Sequence, residues 1–201
     1  MVDFRDIALI VFGYFAGGIP TGYIVVKRLK GYDIRTKGSG NPGTANVYRN
    51  AGALAGAITL AVDALKGYAP VYLALSMYPR RPELALAVGA FAVIGHNWTP
   101  LLGFKGGKGV ATSAGVFAAL LPLPMLITIG VFSLAVKLSG HISVGSMTAA
   151  VALPLAAVAC GSKTAYCIAA ACSGALIIYK HIPNLQRLRQ NKELGIHGPS
   201  A

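Results

Sequence analysis

The chain has 201 residues, of which 55% are apolar and only 12% charged, about half the charged share of a soluble domain. With a mean hydropathy of +0.61, that balance excludes a water-soluble globular domain. The net charge of +12, from 18 Lys and Arg against 6 Asp and Glu, belongs to inner loops beside anionic lipid, and no aromatic-interleaved basic patch argues for nucleic acid.

An all-α integral membrane protein follows, a single polytopic domain over residues 1–201. Seven apolar segments are predicted, near 5–27, 51–77, 83–101, 109–121, 123–138, 143–160 and 163–181. The first opens with Asp3 and Asp6 instead of a basic stretch, which argues against a signal peptide. In the second, Asp63 and Lys66 stand three apart and are expected to satisfy each other inside the bundle. The fourth is short for a hydrocarbon core of ~30 Å at ~1.5 Å per residue. Residues 121–124 read Leu-Pro-Leu-Pro, so the fourth and fifth segments are expected as a broken or shallow pair. Cys160, Cys167 and Cys172 lie in apolar sequence without metal-site spacing, and no metal or cofactor is expected.

Orientation follows from the basic residues. With the N-terminus outside, inner loops collect 13 of them and outer loops only Arg5, Arg80, Arg81 and Lys163. The predicted topology is therefore N-out and C-in, with every glycine-rich polar loop on the cytoplasmic side.

Four stretches carry the chemistry. Residues 37–49, KGSGNPGTANVYR, combine turn-forming glycines with Ser39, Asn41, Thr44 and Asn46, and end on Arg49, whose planar fork suits phosphate. Residues 95–112, GHNWTPLLGFKGGKGVAT, contain no acidic residue and set Lys105 and Lys108 among Gly106, Gly107 and Gly109. Several backbone N–H groups are expected to turn toward one point there. A helix beginning near Val110 aims its positive end at the same place, so the loop reads as an anion site, most naturally for phosphate. It is not a Walker A sequence. His96 fits a structural histidine at a helix end as well as a catalytic one. Ser143 and Ser146 share one face at the start of the sixth segment, Ser143 as the expected N-cap. In the fourth stretch, His181, Asn184 and Arg187 recur every three residues where the last segment leaves the membrane. Pro183 is expected to break the helix there, and Glu193 to form a structural salt bridge.

The first, second and fourth of these stretches resemble the three cytoplasmic motifs of the bacterial acyl-phosphate:glycerol-3-phosphate acyltransferases, the PlsY family, and the resemblance covers nearly the whole chain. It implies a membrane enzyme of the bacterial inner membrane that performs the first step of phospholipid synthesis. A fatty acyl group would pass from acyl phosphate to the sn-1 hydroxyl of glycerol 3-phosphate, giving lysophosphatidic acid and phosphate. By the same resemblance, catalytic roles fall on Ser39, Lys108, Ser146 and His181. Substrate binding falls on Asn41, Arg49, Lys105, Gly106, Gly107, Gly109, Asn184 and Glu193. Acyl phosphate is assigned to the glycine loop and Ser146, and glycerol 3-phosphate to Arg49, His181 and Asn184, with Lys108 between them. A partner enzyme that makes the acyl phosphate is also implied.

The His-x4-Asp dyad is absent, because Leu101, Ser146 and Gln186 stand five residues after His96, His141 and His181. Either His181 or a substrate phosphate oxygen takes the proton. A transporter for phosphorylated glycerol is the rival reading, yet the outer loops at 78–82 and 161–163 show no matching site. A non-catalytic lipid-binding scaffold leaves Ser39, Ser146 and His181 unexplained.

Overall fold

The computed structural model describes residues 3–196, and their regular structure is ten α-helices and two 3-10 turns. The chain divides into two compact units, one ending at Leu120 and the other beginning at Leu121. The first contains α1 (Phe4–Gly17), α2 (Thr21–Lys30), α3 (Thr44–Ala51), α4 (Ala53–Met77), α5 (Pro82–Asn97) and α6 (Val110–Leu120). The second contains α7 (Pro122–Ser139), α8 (Ile142–Ala159), α9 (Thr164–Lys180) and α10 (Ile182–Arg189).

Five stretches are long and apolar enough to cross a membrane, with Phe4–Lys30 counted as one, and a sixth is the bent pair α9–α10. The helix α6 has 11 residues, which at ~1.5 Å per residue reaches about half of a hydrocarbon core. Apolar side chains such as Phe12, Leu65, Leu126, Ile129 and Leu155 face outward, as lipid contact requires. This is an integral membrane protein, and the regular elements among its described residues are all helical.

In the first unit α4 is the hub, packed against α1, α2, α3, α5 and α6, while α1 also lies along α5. Lipid offers no hydrophobic drive between helices, so small residues let their backbones close up. A Cβ added to Gly115 of α6 would overlap the Ala64 carbonyl of α4, and one on Gly17 of α1 would overlap the Ala92 carbonyl of α5.

The predicted first span is broken. Gly17, Gly18 and Pro20 end α1 and start α2 three residues later, because Pro20 has no N–H to continue the ladder. At this break the Ile19 carbonyl accepts from Thr21 N at 3.0 Å and from Lys66 Nζ at 2.7 Å. Lys66 is in turn paired with Asp63 at 2.7 Å, both side chains buried, as their spacing predicted.

Two ion contacts mark the ends of this unit. At one end the Arg81 fork donates to both Asp6 oxygens at 2.8 Å. At the other, Arg35 Nη1 donates to the Leu102 carbonyl at 3.2 Å, bringing the loop after α2 against the loop after α5.

In the second unit, α7, α8 and α9 pack as consecutive neighbours. The chain turns by 52° between α9 and α10, with Pro183 in the first turn of α10.

Replacing Gly115 with Ala drives a methyl group into the α4 backbone and should destabilise the protein by about 1–3 kcal/mol. The same change at Gly130, where nothing stands within 4 Å, should leave stability unchanged or slightly raised. Thermal unfolding of the two variants in detergent checks the pair.

Candidate active site

The loop between α2 and α3 is organised by one side chain. Asn46, on α3 and buried, donates from Nδ2 to the carbonyls of Lys37 at 3.0 Å and Ile34 at 3.3 Å. Its Oδ1 accepts from Ser39 N and Asn50 Nδ2, both at 3.0 Å. All four hydrogen-bonding positions of the amide are thereby used. Gly38 is in the left-handed region at φ 55°, and a Cβ there would strike Asn46 Oδ1, so no other residue fits. Asn41, expected to bind substrate, turns its Oδ1 onto Gly43 N at 2.9 Å and shapes the entry to α3. Ser39 and Arg49 are both half-buried.

Asp33 is the only acid in the loop. Arg35 donates to it from Nε, Nη2 and its backbone N, with 2.7 Å for the closest contact. Those hydrogen bonds hold the Asp33 carboxyl below its ordinary value and raise Arg35 in return. Lys37 of the loop and Arg49 of α3 therefore face no unpaired carboxylate from it.

The loop between α5 and α6 hangs from the end of α5. Tyr14 donates its hydroxyl to the Trp98 carbonyl at 2.9 Å, and Thr99 accepts from Leu101 N to start a 3-10 turn. Gly106 N then donates to Asn97 O at 3.2 Å and Gly107 N to His96 O at 3.1 Å. Those two amides bond back to the end of α5. The two glycines serve by letting the loop lie against the helix. Gly109 turns at φ 82° into α6, so the positive end of α6 follows Lys108 directly. Lys105 is exposed and Lys108 half-buried.

The second unit carries the remaining candidates. The N-cap of α8 is His141, not Ser143, which lies buried in the first turn. Ser146 is a turn further in and donates to the Ile142 carbonyl at 2.9 Å. At the α9–α10 corner, His181 Nδ1 lies 2.8 Å from the Ile177 carbonyl. A carbonyl can only accept, so Nδ1 carries the hydrogen and Nε2 is the nitrogen that can take a proton when the ring is neutral.

Asn184 Nδ2 donates to Glu193 Oε1 at 2.5 Å, and Arg187 Nε donates to Oε2 at 2.7 Å. Burial pushes the Glu193 carboxyl up, but the hydrogen bonds from Asn184 and Arg187, with help from the Ser143 hydroxyl, outweigh it and leave the group below its ordinary value. His181, Asn184 and Glu193 are all buried. Glu193 thus forms the salt bridge its position suggested, and its partners are residues of the same corner.

Three parts of this arrangement lay outside the sequence reading. Asn46 as an anchor had a faint signal in its four-residue spacing from Asn50. The approach of His96 Nδ1 to Asp63 Oδ1, at 3.9 Å, joins residues 33 positions apart and had none. Nor did the link from Ser143 to Glu193.

A model of the family described as glycerol-3-phosphate acyltransferase matches residues 7–191. The glycerol-3-phosphate acyltransferase of Endomicrobium trichonymphae is 45% identical over 187 residues, covering 93% of this chain and 94% of the relative. That of Geobacter sulfurreducens is 42% identical over 189 residues, covering 94% and 96%. The crystal structure of PlsY (YgiH), an integral membrane glycerol 3-phosphate acyltransferase in its glycerol 3-phosphate form, superposes with a TM-score of 0.90 at 34% identity over 95% of each chain. Its lysophosphatidic acid form gives 0.88.

The depressed Glu193 value fixes the sign of a pH effect. A carboxylate whose folded value lies below its unfolded one stabilises the fold above the ordinary range near ~4.3, and that stabilisation is lost as pH falls through the folded value. Glu193→Gln should therefore be less stable than wild type at neutral pH, with the gap closing under acid. Thermal scans of both proteins between about pH 7 and 3 check this; a gap constant across the range contradicts it.

Proposed function

The chain belongs to the glycerol-3-phosphate acyltransferase family, and from that premise we propose how it works: it draws the acyl group from acyl phosphate and delivers it to the sn-1 hydroxyl of glycerol 3-phosphate. The observation that carries this reading is the meeting of two basic, glycine-rich loops at one end of the first unit. Arg35 joins the two loops there, Asp33 is already held by Arg35, and the second loop contains no carboxylate. Both proposed substrates carry phosphate. Two unit charges 4 Å apart repel by about 4 kcal/mol at an effective dielectric near 20, so bringing the substrates together needs cations placed in advance.

Lys108 and Arg49 supply those cations, and the N-terminal end of α6 adds its partial charge. In the reaction the glycerol oxygen bonds to the acyl carbon, the carbon–oxygen bond to phosphate breaks, and phosphate leaves with the electron pair. Lys108 and the Ser39 hydroxyl stabilise the oxyanion and the leaving group, and the resemblance to the family gives Ser146 the same role. His181 and Asn184 orient glycerol 3-phosphate, with Glu193 fixing Asn184. The proton lost by the hydroxyl ends on a phosphate oxygen, because an activated donor needs little further help once positioned. His181 Nε2 stands as the alternative acceptor.

The membrane arrangement we propose has seven apolar segments, α6 being the short one, with the N-terminus outside, the C-terminus inside and the chemistry facing the cytoplasm of a bacterial inner membrane. The grouping of Asp6 with Arg81 at one end of the first unit and the two basic loops at the other supports it, as does the excess of basic residues on the inner side. A separate enzyme must supply the acyl phosphate.

The test is purified protein in lipid given palmitoyl phosphate and glycerol 3-phosphate, with acyl-CoA as a parallel donor. Lysophosphatidic acid and phosphate should form in equal amounts from acyl phosphate alone. Lys108→Ala should lower kcat by about 100- to 1,000-fold, as loss of one oxyanion donor does, without lowering the unfolding temperature; near-normal turnover would remove Lys108 from the reaction. His181→Ala separates the two proton acceptors. Substrate-assisted transfer leaves residual turnover with the wild-type pH profile, whereas loss of the acidic limb, where a base would become protonated, assigns the proton to Nε2.

A further inference from the structure

Three ionisable side chains inside the first unit have no part in the reaction just described. Asp63 and Lys66, on α4, form an ion pair of 2.7 Å with side chains 3% and 5% exposed. His96, near the end of α5, brings Nδ1 to 3.9 Å from the same Asp63 oxygen. Charges at such depth are costly unless paired. The Asp63–Lys66 pair already achieves that neutrality, and the cluster nevertheless extends further in two directions.

One extension leads toward the first loop. Lys66 Nζ donates to the Ile19 carbonyl at the break between α1 and α2. Just beyond the break, Gly22 lies so close to the Pro42 carbonyl that a Cβ would overlap it. The other extension leads toward the second loop. Gly107 donates its N–H to the His96 carbonyl, and a Cβ on Gly107 would overlap His96 Nε2. The imidazole thus stands with one edge toward a carboxylate and the other against the residue before Lys108. Asp63, Lys66, His96, Pro42, Gly106 and Gly107 line one narrow cleft.

We propose that His96 is a positioning residue: braced by the buried Asp63–Lys66 pair, its imidazole sets the register of the 106–107 segment and with it the placement of Lys108. The Lys66–Ile19 bond ties the same brace to the helix that leads into the first loop. The consequence for turnover rests on the role given to Lys108 above; the effect on the loop itself does not. A pair that merely neutralised itself would be replaceable by apolar residues of similar size without consequence, since such replacements of buried ion pairs are often neutral or stabilising. A brace would not be, because the imidazole would lose what fixes its ring.

The double variant Asp63→Leu with Lys66→Met tests this in the full-length protein in lipid. Three quantities are read: unfolding temperature, amide exchange over residues 97–109, and the separate kcat and KM values. The expected result is a fold that is kept, exchange over that segment faster by about 10-fold or more, and kcat lower by about 10- to 100-fold with KM little changed, the scale of loss that small misplacement of a catalytic group causes. Wild-type exchange and wild-type kcat in this variant overturn the proposal.

Should the double variant fail to fold, His96→Asn leaves the ion pair intact and keeps a donor near the Nδ1 position while removing the Nε2 edge. It should show the same faster exchange and the same fall in kcat, and unchanged values of both overturn the proposal. If wild-type protein makes no product from either acyl donor, the acyltransferase reading fails, while the exchange comparison still decides whether His96 holds the loop.

Discussion

Where a helix stops inside a hydrocarbon layer, its last carbonyls have no water to turn to, and the protein must answer each from within. This constraint runs through the structure. At the break between α1 and α2 the Ile19 carbonyl is answered by the Thr21 amide and by Lys66. Lys66 then needs an anion, which Asp63 supplies. The end of α5 is answered by the Tyr14 hydroxyl on Trp98 and by the Gly106 and Gly107 amides on Asn97 and His96. At the end of α9 the Ile177 carbonyl is met by the His181 ring. The residues with chemistry to perform stand at these terminations, so the bonds that repair the helix ends also fix the site's parts.

A second regularity concerns carboxylates. The acids that lie near candidate site residues are each held by donors of their own unit: Asp33 by Arg35, and Glu193 by Asn184 and Arg187. Arg187 illustrates the division of labour, since a residue that reads as one more surface cation is instead the clamp on Glu193. Asn46 does comparable work with no charge at all, filling every hydrogen-bonding position of its amide to hold a glycine-rich loop in one shape. Rigid anchors and reactive cations are different residues, and this lets the loops stay polar without being slack.

The apolar segments, the pairing of Asp63 with Lys66, the start of a helix at Val110 and the corner at Pro183 were all legible in the sequence. Each depends on local chemistry: runs of apolar residues, a three-residue spacing on one helix face, a glycine turn, a proline without an N–H. The break in the first span was missed, although Gly17, Gly18 and Pro20 together carried the signal. Ser143 looked like an N-cap because hydroxyls favour that position. The helix instead begins one residue after His141 and turns Ser143 inward, where its hydroxyl favours the Glu193 carboxylate.

By itself the sequence determined that the chain is helical and membrane-embedded, and which polar stretches hold its chemistry, because hydropathy, turn residues and charge asymmetry are properties of neighbours along the chain. Tertiary structure alone decided that Gly106 and Gly107 direct their amides to α5, that Asn41 shapes a turn, and that His96 meets Asp63 across 33 residues of sequence. These contacts arise between helix ends whose approach is set by how closely small residues allow two backbones to come, a distance that spacing along one chain does not encode.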